Sequence, residues 1–410
     1  MNTIKEVAVI GLGYIGLPTA AILASKGIVV KGVDVTPRTV EAVNKGEVPF
    51  VEPALGEFVS KAVAEGTLSA SFDTPEAEAY IVAVPTPFNE DYTADLSYIE
   101  AAADGIAPKL KGGELVILES TSPPGATQHL ADYLLAKRPD LTSESLLIAH
   151  CPERVLPGYV MEELVTNDRI VGGITPEAAE KAKALYATFC EADILTTDAV
   201  TAEMAKLVEN SFRDVNIAFA NELSVISDKL GIDVWELIEL ANRHPRVNIL
   251  QPGPGVGGHC IAVDPWFIVS AVPEQAQIIR QARETNDAKP NWVISKVEEA
   301  TKSDKFNGKV ALLGLAFKAN IDDMRESPSI AIARKLAEAN PSVEFLAVEP
   351  HVEALPKSLD GLNNLTLTPT DAALADASVL TLLVDHDQFK TVPATALAGK
   401  EVIDTRGLWR

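Results

Sequence analysis

Short apolar runs alternate with longer amphipathic stretches over the first 150 residues of the chain. The stretch 17–26 repeats its apolar residues at the spacing of a helix. The apolar runs that are short enough for buried parallel strands are 5–10, 29–33, 79–84, 115–119 and 146–150. Because strands alternate with helices, this pattern predicts a doubly wound parallel sheet, as in a Rossmann domain.

A long helical pattern without proline fills the middle of the chain, from 199 to 242, and Gly231 is its one internal break. The part before Gly231 predicts a single helix of about 30 residues, about 45 Å long. A helix of this length usually spans between domains or forms a subunit interface. Glycine and proline then become frequent between 251 and 265.

The last hundred residues return to the strand and helix pattern. A strand enters a turn at 309–320, where Gly314 begins a segment without the three-glycine spacing of a dinucleotide site. The elements predicted after it are a helix at 328–340 and strands at 343–348, 378–384 and 401–404. This second, smaller α/β domain therefore need not bind a dinucleotide.

The patterns together predict an α/β protein with three domains. We expect an N-terminal Rossmann domain at 1–196, a central all-helical domain at 197–300 that contains the long helix, and a C-terminal Rossmann-like α/β domain at 301–410.

Charge and cysteine content narrow the classes of partner. The formal net charge is −23, so nucleic acid and anionic membranes are poor partners, and an anionic substrate would need a local basic pocket. The chain has three cysteines and no CxxC pair, which argues against a zinc site or a redox dithiol. No apolar run reaches the roughly 18 residues of a membrane helix. We expect a cytoplasmic protein.

The glycine-rich turn after the first strand has the spacing of a dinucleotide fingerprint. Gly11 permits the tight turn, Gly13 lets the backbone approach a pyrophosphate, and Gly16 lets the helix pack closely. Asp34 ends the next strand, where a carboxylate would bind the ribose hydroxyls and repel a 2′-phosphate. The pattern favours NAD over NADP, and the alternative is a glycine turn without a ligand.

Two threonines follow other strands at the edge where such folds bind ligands. Thr86 lies in VPTP and Thr121 in ESTS. Both are candidate cofactor contacts, because ligands of doubly wound sheets lie outside the carboxyl ends of the strands. Each could equally cap the helix that follows.

The segment 253–265 is the most specific feature of the sequence. It reads GPGVGGHCIAVDP and places Cys260 in a loop whose glycines allow close approach to a ligand. If the segment after Cys260 is helical, Asp264 shares a face with the thiol. The alternative for any lone cysteine is burial in a core, and we expect that of Cys151 and Cys190.

A nucleophilic cysteine beside a nicotinamide site indicates chemistry at the aldehyde level. An aldehyde releases hydride readily only after a nucleophile has added to it. A thiolate gives a thiohemiacetal, whose oxidation yields a thioester that water can hydrolyse.

The long helix carries polar residues one turn apart. Lys206 could exchange a proton with an alcohol oxygen, Asn210 could donate to an oxyanion, and Arg213 lies on a related face. The alternative is a solvated stripe in which Glu203 and Lys206 form a surface ion pair.

Seven motifs, in order and spacing, resemble the UDP-glucose/GDP-mannose dehydrogenase family along essentially the whole chain: GLGYIGLPTA, VAVPTPF, LESTSPPG, CPERVLPG, AEMAKLVENSFRDVNIAFANELS, PGPGVGGHCIAVDPWF and GLAFKANIDDMRESPS. The resemblance implies an NAD domain, a central dimerisation domain and a C-terminal domain that grips the nucleotide of a UDP-sugar. It also implies two successive oxidations of C6 that consume two NAD, pass through a thiohemiacetal and a thioester on Cys260, and occur in a homodimer.

The resemblance also implies residue roles. The implied catalytic residues are Cys260, Lys206, Asn210, Asp264, Glu153 and Thr121. The implied cofactor contacts are Gly11, Gly13, Tyr14, Ile15, Gly16, Asp34, Thr86, Thr121 and Arg325. The implied substrate contacts are Arg154, Val155, Lys206, Asn210, Arg213, His244, Arg246, Gly257, Lys318 and Arg325, some of them across the dimer. The arginines and lysines of this set would supply the local basic pocket that a pyrophosphate needs.

Two other functions stay open at this point. A two-electron dehydrogenase of the 6-phosphogluconate or 3-hydroxyacid type would need Lys206 and not Cys260. A catalytically inactive protein that binds NAD or a nucleotide sugar would need neither. No motif identifies the substituent or stereochemistry at C2 of the sugar.

Overall fold

The computed structural model describes residues 4–89, 91–258 and 260–410. The chain divides into two compact units, Met1–Glu209 and Asn210–Arg410. The elements of each unit are given in turn. Within the described ranges, no helix is both long and apolar enough to cross a membrane.

The first unit is built on an eight-stranded sheet. Its strands are β1 (Glu6–Ile10), β2 (Val29–Val33), β3 (Leu68–Ser71), β4 (Ala79–Val82), β5 (Leu115–Leu118), β6 (Leu147–His150), β7 (Arg169–Gly173) and β8 (Ile194–Asp198). Their order is β3-β2-β1-β4-β5-β6-β7-β8. All neighbours are parallel except β6 and β7, which pair antiparallel. The strand order reverses direction beside β1, so the ends of β1 and β4 form the switch point where such folds bind ligands.

Helices cover both faces of this sheet. They are α1 (Gly16–Ser25), α2 (Pro37–Asn44), α3 (Leu55–Ala64), α4 (Ser97–Ile106), α5 (Ala126–Lys137), α6 (Val160–Thr166) and α7 (Pro176–Tyr186), and a 3₁₀ turn covers Ala107–Lys109. Two separate apolar clusters form, one on each face of the sheet. Both faces are covered by apolar side chains. This explains why the central strands β4 and β5 consist of buried apolar residues rather than an alternating pattern.

The long helix α8 (Ala199–Leu230) begins in the first unit and continues into the second. It has 32 residues, which confirms the predicted length. It ends before Gly231, whose φ of +70° is readily adopted by glycine. The next helices are α9 (Val234–Ala241), α10 (Asp264–Ala271) and α11 (Gln277–Ala300). α11 was not predicted from the sequence, and it contains Pro290 in its interior.

A five-stranded parallel sheet completes the second unit. Its strands are β9 (Lys309–Leu313), β10 (Glu344–Val348), β11 (Leu365–Leu367), β12 (Val379–Leu382) and β13 (Glu401–Asp404), in the order β11-β10-β9-β12-β13. The helices around it are α12 (Pro328–Ala339), α13 (Thr370–Asp376), α14 (Asp387–Lys390) and α15 (Ala394–Leu397), with a 3₁₀ turn at Lys357–Leu359. Both faces of this sheet carry apolar clusters.

The predicted fold class is confirmed: an N-terminal Rossmann-type sheet, a central helical region and a C-terminal parallel sheet. The edge strands β3 and β8, and β7 beside β8, were not predicted from the sequence. β3 and β8 consist largely of partly exposed polar residues, so they lack the apolar run that predicts a buried strand.

Candidate functional site

The turn between β1 and α1 has the shape that a dinucleotide requires. Gly11 has a φ of +94°, and a Cβ there would collide with the carbonyl oxygen of Ala83. A Cβ on Gly16 would collide with the carbonyl oxygen of Gly11. By contrast, a Cβ on Gly13 would meet no atom within 4 Å. Two glycines are therefore needed for close packing, and the third faces open space that a pyrophosphate could enter.

Asp34 follows β2 and reaches back to this turn. One carboxylate oxygen accepts from the Leu12 backbone N–H at 2.9 Å, and the other accepts from the Thr36 N–H at 2.8 Å. Each oxygen keeps a further lone pair, and the side chain is half-exposed. The carboxylate is thus held beside the glycine turn with lone pairs that could accept from a ligand.

Tyr14 and Ile15 lie in the same turn. The Tyr14 ring is 48% exposed and packs against Phe50 with 4.2 Å between ring centroids. Ile15 is the N-cap of α1, and no side chain caps this helix. The turn therefore presents a helix N-terminus without a side-chain acceptor, which suits a phosphate.

Thr86 and Thr121 follow β4 and β5 at the same edge of the sheet. Neither is a helix cap, because the N-cap residues of α4 and α5 are Leu96 and Gly125. The Thr86 hydroxyl is buried and has no partner among the described residues. An orphaned buried hydroxyl beside the glycine turn fits a bound cofactor, since such groups are nearly always hydrogen-bonded.

Glu203 does not form the surface pair with Lys206 that the alternative interpretation required. Its side chain is buried, and its carboxylate accepts from the backbone N–H groups of Gly125 and Thr127 at 2.6 and 2.7 Å. It therefore caps the N-terminus of α5. Lys206, one turn further along α8, is half-buried.

Glu153 belongs to a buried ionic network. Its carboxylate accepts from a guanidinium nitrogen of Arg169 at 2.9 Å and from the Arg154 backbone N–H at 2.8 Å. Arg169 is buried and packs against the rings of Tyr186 and Phe189. A buried carboxylate needs such a partner to stay charged. Arg169, at the start of β7, was not predicted from the sequence, since no motif marks this strand.

Glu119 lies close to this network, and within the described residues it has no ion pair. It is buried and accepts from the hydroxyls of Thr19 and Tyr186 at 3.1 and 3.0 Å. Burial, reinforced by the nearby Glu153 carboxylate, raises the pKa of Glu119 to about 8. Glu119 therefore carries a proton at neutral pH.

In the second unit, three of the predicted catalytic residues come together. The Asn210 amide donates to the Asp264 carboxylate at 2.5 Å, and both side chains are buried. The backbone N–H of Asp264 donates to the Cys260 carbonyl at 2.9 Å. Cys260 lies in a turn just before α10 and is exposed, whereas Cys151 and Cys190 are buried as expected. All three cysteines lie in the described part of the chain, and none forms a disulfide.

The loop before Cys260 is anchored at its start and packed tightly along its length. The buried Gly253 N–H donates to the Asn221 side chain at 2.9 Å. A Cβ on Gly257 would approach the Glu326 carbonyl oxygen to 2.5 Å, and a Cβ on Gly258 would approach the Phe317 ring to 3.2 Å. The glycines are thus required by packing as well as by any ligand. His259 lies outside the described residues.

A cavity of about 290 Å³ opens at the ends of β9 and β12. Lys318, Asp385 and Arg406 line it, together with Gly255 from the cysteine loop. Arg406 donates to the Asp385 carboxylate at 2.9 Å. Lys318 was predicted from the sequence as a substrate contact, whereas Arg406 was not. Arg406 could have been identified from its position just after a strand end, because such sheets bind ligands there.

The other predicted substrate contacts are on or near the surface. Arg154 is half-buried and bonds to Glu209 at 2.6 Å. Arg325 forms a two-point pair with Asp323 at 2.9 and 2.7 Å. The remaining contacts are exposed (Arg213, His244 and Arg246) or half-buried (Val155 and Gly257). Their roles, like those of all the site residues above, stay predictions.

Comparison with known protein families gives three matches that together cover most of the chain. Residues 5–190 match the NAD binding domain of the UDP-glucose/GDP-mannose dehydrogenase family, residues 200–288 match its central domain, and residues 311–410 match its UDP binding domain. NAD as the cofactor is thereby confirmed.

Individual relatives are similar over nearly their whole length. A UDP-N-acetyl-D-mannosamine dehydrogenase of Salmonella typhi is 57% identical over 98% of this chain and 99% of its own. An NDP-N-acetyl-D-galactosaminuronic acid dehydrogenase of Ralstonia nicotianae is 54% identical over 99% and 96%. The solved structure of a UDP-N-acetyl-mannosamine dehydrogenase from S. aureus is 40% identical, covers 98% of this chain and 95% of its own, and superimposes with a TM-score of 0.82.

Proposed function

Because this chain belongs to the UDP-glucose/GDP-mannose dehydrogenase family, we propose that it oxidises the C6 alcohol of UDP-N-acetyl-D-mannosamine to the carboxylate with two NAD. The observation that carries the proposal is the identity of 57% to a relative of that activity over 98% of the chain. The pairing of Asn210 with Asp264 next to the Cys260 turn supplies polar groups suited to the chemistry.

The first oxidation needs a base for the C6 hydroxyl. Lys206 takes the hydroxyl proton, and Asn210, one turn along the same helix, donates to the oxygen as charge develops on it. Bound NAD would supply the hydride acceptor for C6, one NAD for each of the two oxidations. Gly11, Gly13, Gly16 and Asp34 would hold its pyrophosphate and ribose, and Thr86 and Thr121 would contact it at the strand ends.

The second oxidation depends on Cys260. Its thiolate adds to the C6 aldehyde, and the aldehyde oxygen becomes the hydroxyl of a thiohemiacetal. Loss of the hydroxyl proton, together with transfer of the C6 hydride to the acceptor that a second bound NAD would supply, leaves a thioester on Cys260. Water then attacks the thioester carbonyl, and the C–S bond breaks to give the carboxylate and the free thiol. We assign water activation to Glu153 and Asp264, with Thr121 ordering the water.

The nucleotide would bind the C-terminal sheet at the cavity lined by Lys318 and Arg406. Lys318 and Arg406 suit a pyrophosphate although Asp385, which pairs with Arg406, lines the same cavity, and they lie in a chain whose net charge is −23. The remaining predicted substrate contacts are Arg154, Val155, Arg213, His244, Arg246, Gly257 and Arg325, with Arg325 also serving the cofactor.

We propose a homodimer formed through the central helical region. The second-unit part of α8 carries Phe212, Phe219, Ile226 and Leu230, which are 69%, 52%, 43% and 67% exposed. Their spacing of seven, seven and four residues places them along one side of the helix. A second copy of the chain would cover this apolar stripe. The cytoplasmic location stays a prediction from the sequence, as does the three-domain division.

One assay tests the substrate. The protein is mixed with NAD or NADP and with UDP-N-acetylmannosamine, UDP-N-acetylglucosamine, UDP-glucose or GDP-mannose, and absorbance at the nicotinamide band is followed. We expect the highest kcat/KM with UDP-N-acetylmannosamine and NAD. A higher kcat/KM for another sugar would overturn the substrate assignment but not the family. UDP-N-acetylgalactosamine is added as a fifth substrate, because a relative 54% identical is named an NDP-N-acetyl-D-galactosaminuronic acid dehydrogenase.

A further inference from the structure

The two parallel sheets share a feature at corresponding places. In the first, Gly11 follows β1 with a φ of +94° and its N–H donates to Val33 at the end of β2. In the second, Gly314 follows β9 with a φ of +89° and its N–H donates to Val348 at the end of β10. In both sheets, the residue that follows this acceptor valine in the sequence carries a carboxylate. It is Asp34 in the first sheet and Glu349 in the second.

The two carboxylates have different surroundings. Asp34 is half-exposed and takes one N–H of the glycine turn. Glu349 is 4% exposed, and one of its oxygens accepts from the N–H groups of Leu315 and Ala316 at 2.8 and 3.0 Å. The same oxygen lies 3.1 Å from Nε2 of His386. The Glu349 carboxylate is therefore hydrogen-bonded to protein groups, whereas the Asp34 carboxylate at the corresponding position is open to a ribose.

His386 connects this carboxylate to the far end of the same loop. Its Nδ1 accepts from the Asn320 backbone N–H at 3.0 Å, so Nε2 carries the ring proton and donates to Glu349. The ring is fully buried. Asn320 has a φ of +63°, and its side chain accepts from the Asp387 N–H at 2.9 Å. The pair thus holds the loop at Leu315–Ala316 and again at Asn320.

The residues between these two anchor points line the cavity. Residues 316–319, which include Lys318, form part of the wall of the cavity of about 290 Å³. We propose that Glu349 and His386 are positioning residues for nucleotide binding. They fix both ends of the loop so that Lys318 and its neighbours are already placed when the UDP group arrives. This inference rests on the proposed function, since it assumes that the cavity takes a nucleotide.

A metal site is the competing interpretation of the same residues. Glu349, His351 and His386 offer ligand atoms within 4.8 Å of one another. However, both ring nitrogens of His386 are engaged, and the Glu349 oxygen that faces it already takes three donors. A metal would have to displace the bonds that hold the loop. The geometry favours the loop anchor.

Calorimetric titration with UDP tests the proposal on the full-length protein. His386→Phe keeps a ring and removes both hydrogen bonds, and Glu349→Gln removes the charge. We expect each to raise the Kd for UDP and the KM for the UDP-sugar about tenfold, the effect of losing one or two buried hydrogen bonds. The KM for NAD and kcat should stay within about twofold, a separation that general loss of structure would not give.

Matched controls separate the possible outcomes. His351→Ala changes an exposed ring beside His386 and should leave the Kd for UDP unchanged. Asp34→Asn should raise the KM for NAD and not the Kd for UDP. Equal loss in His351→Ala and His386→Phe, together with sensitivity to a chelator, would overturn the proposal in favour of a metal.

The wild-type titration distinguishes the inference from the function on which it rests. If the wild-type protein does not bind UDP, the proposed function fails. If it binds UDP and both variants bind equally well, only the positioning role fails. Should His386→Phe not fold, Glu349→Gln alone decides between these outcomes.

Discussion

The Asn210 amide and the Asp264 carboxylate are joined by a buried hydrogen bond of 2.5 Å, although 54 residues separate them in the chain. The bond connects α8 to the first residue of α10, immediately after the Cys260 turn. A buried carboxylate that accepts a hydrogen bond from an amide is held in one orientation. This pair is therefore the most direct structural support for chemistry at the cysteine turn.

Asp264→Asn should lower kcat by about a hundredfold or more, the usual contribution of a positioned acid or base. The substitution keeps the size of the side chain and removes its charge. Asn210→Ala and the double variant complete a double-mutant cycle. We expect the double variant to be little worse than Asp264→Asn alone, because the two groups act together. Fully additive losses would show that they act independently.

Cys260→Ala should abolish formation of the acid. The wild-type protein should release two NADH per UDP-sugar, and the variant at most one, because the aldehyde cannot form a thioester without the thiol. The stoichiometry is measured by absorbance against the limiting sugar. The control is Cys190→Ala, which removes a buried thiol of the first unit. Two NADH from Cys260→Ala would show that the second oxidation does not need the thiol. One NADH with a ketone product from the wild type would exclude the four-electron reaction and support the two-electron alternative. Tight UDP-sugar binding without any NADH would instead support an inactive binding protein.

The cysteine loop should depend on a residue far from it in sequence. Asn221, on α8, accepts from the buried Gly253 N–H and donates to Asn286 at 2.8 Å. Asn221→Ala leaves that N–H unsatisfied, which typically costs about 1–3 kcal/mol. We expect the loop to lose its fixed position, so that kcat falls about tenfold and the rate of Cys260 alkylation by iodoacetamide changes.

Asn216→Ala is the matched control for Asn221→Ala, because Asn216 lies on the same helix and its amide donates to the Phe212 carbonyl. It should leave both the alkylation rate and kcat unchanged. An unaltered alkylation rate in Asn221→Ala would show that the loop is held by its glycine packing alone.

The sequence predicted some parts of the site and not others for a physical reason. The glycine turn and Asp34 were predictable because their interactions lie within one strand–turn–helix unit and the next strand. Arg169, His386 and Arg406 were not, because their roles depend on tertiary contacts. His386, for example, meets Glu349 across 37 residues. No local pattern marks a buried histidine as the anchor of a distant loop. Glu203 shows the converse case, because helical spacing allowed a surface pair with Lys206 as the alternative interpretation, whereas tertiary packing makes Glu203 the cap of α5.

Glu119→Gln should stabilise the first unit at alkaline pH. Burial raises the pKa of Glu119 to about 8, so the folded protein holds a proton that the unfolded chain releases near pH 4.5. The proton-linked stabilisation is complete below pH 4.5 and is lost as the pH rises through 8. The loss amounts to roughly 3–5 kcal/mol at pH 9. Glutamine is neutral throughout, so the variant should match the wild type near pH 5 and melt at a higher temperature at pH 9, as followed by circular dichroism. Glu57→Gln, which alters an exposed carboxylate, should show no such divergence. Parallel melting curves for Glu119→Gln and the wild type across this pH range would mean that Glu119 is ionised in the folded protein and that Arg169 compensates its charge.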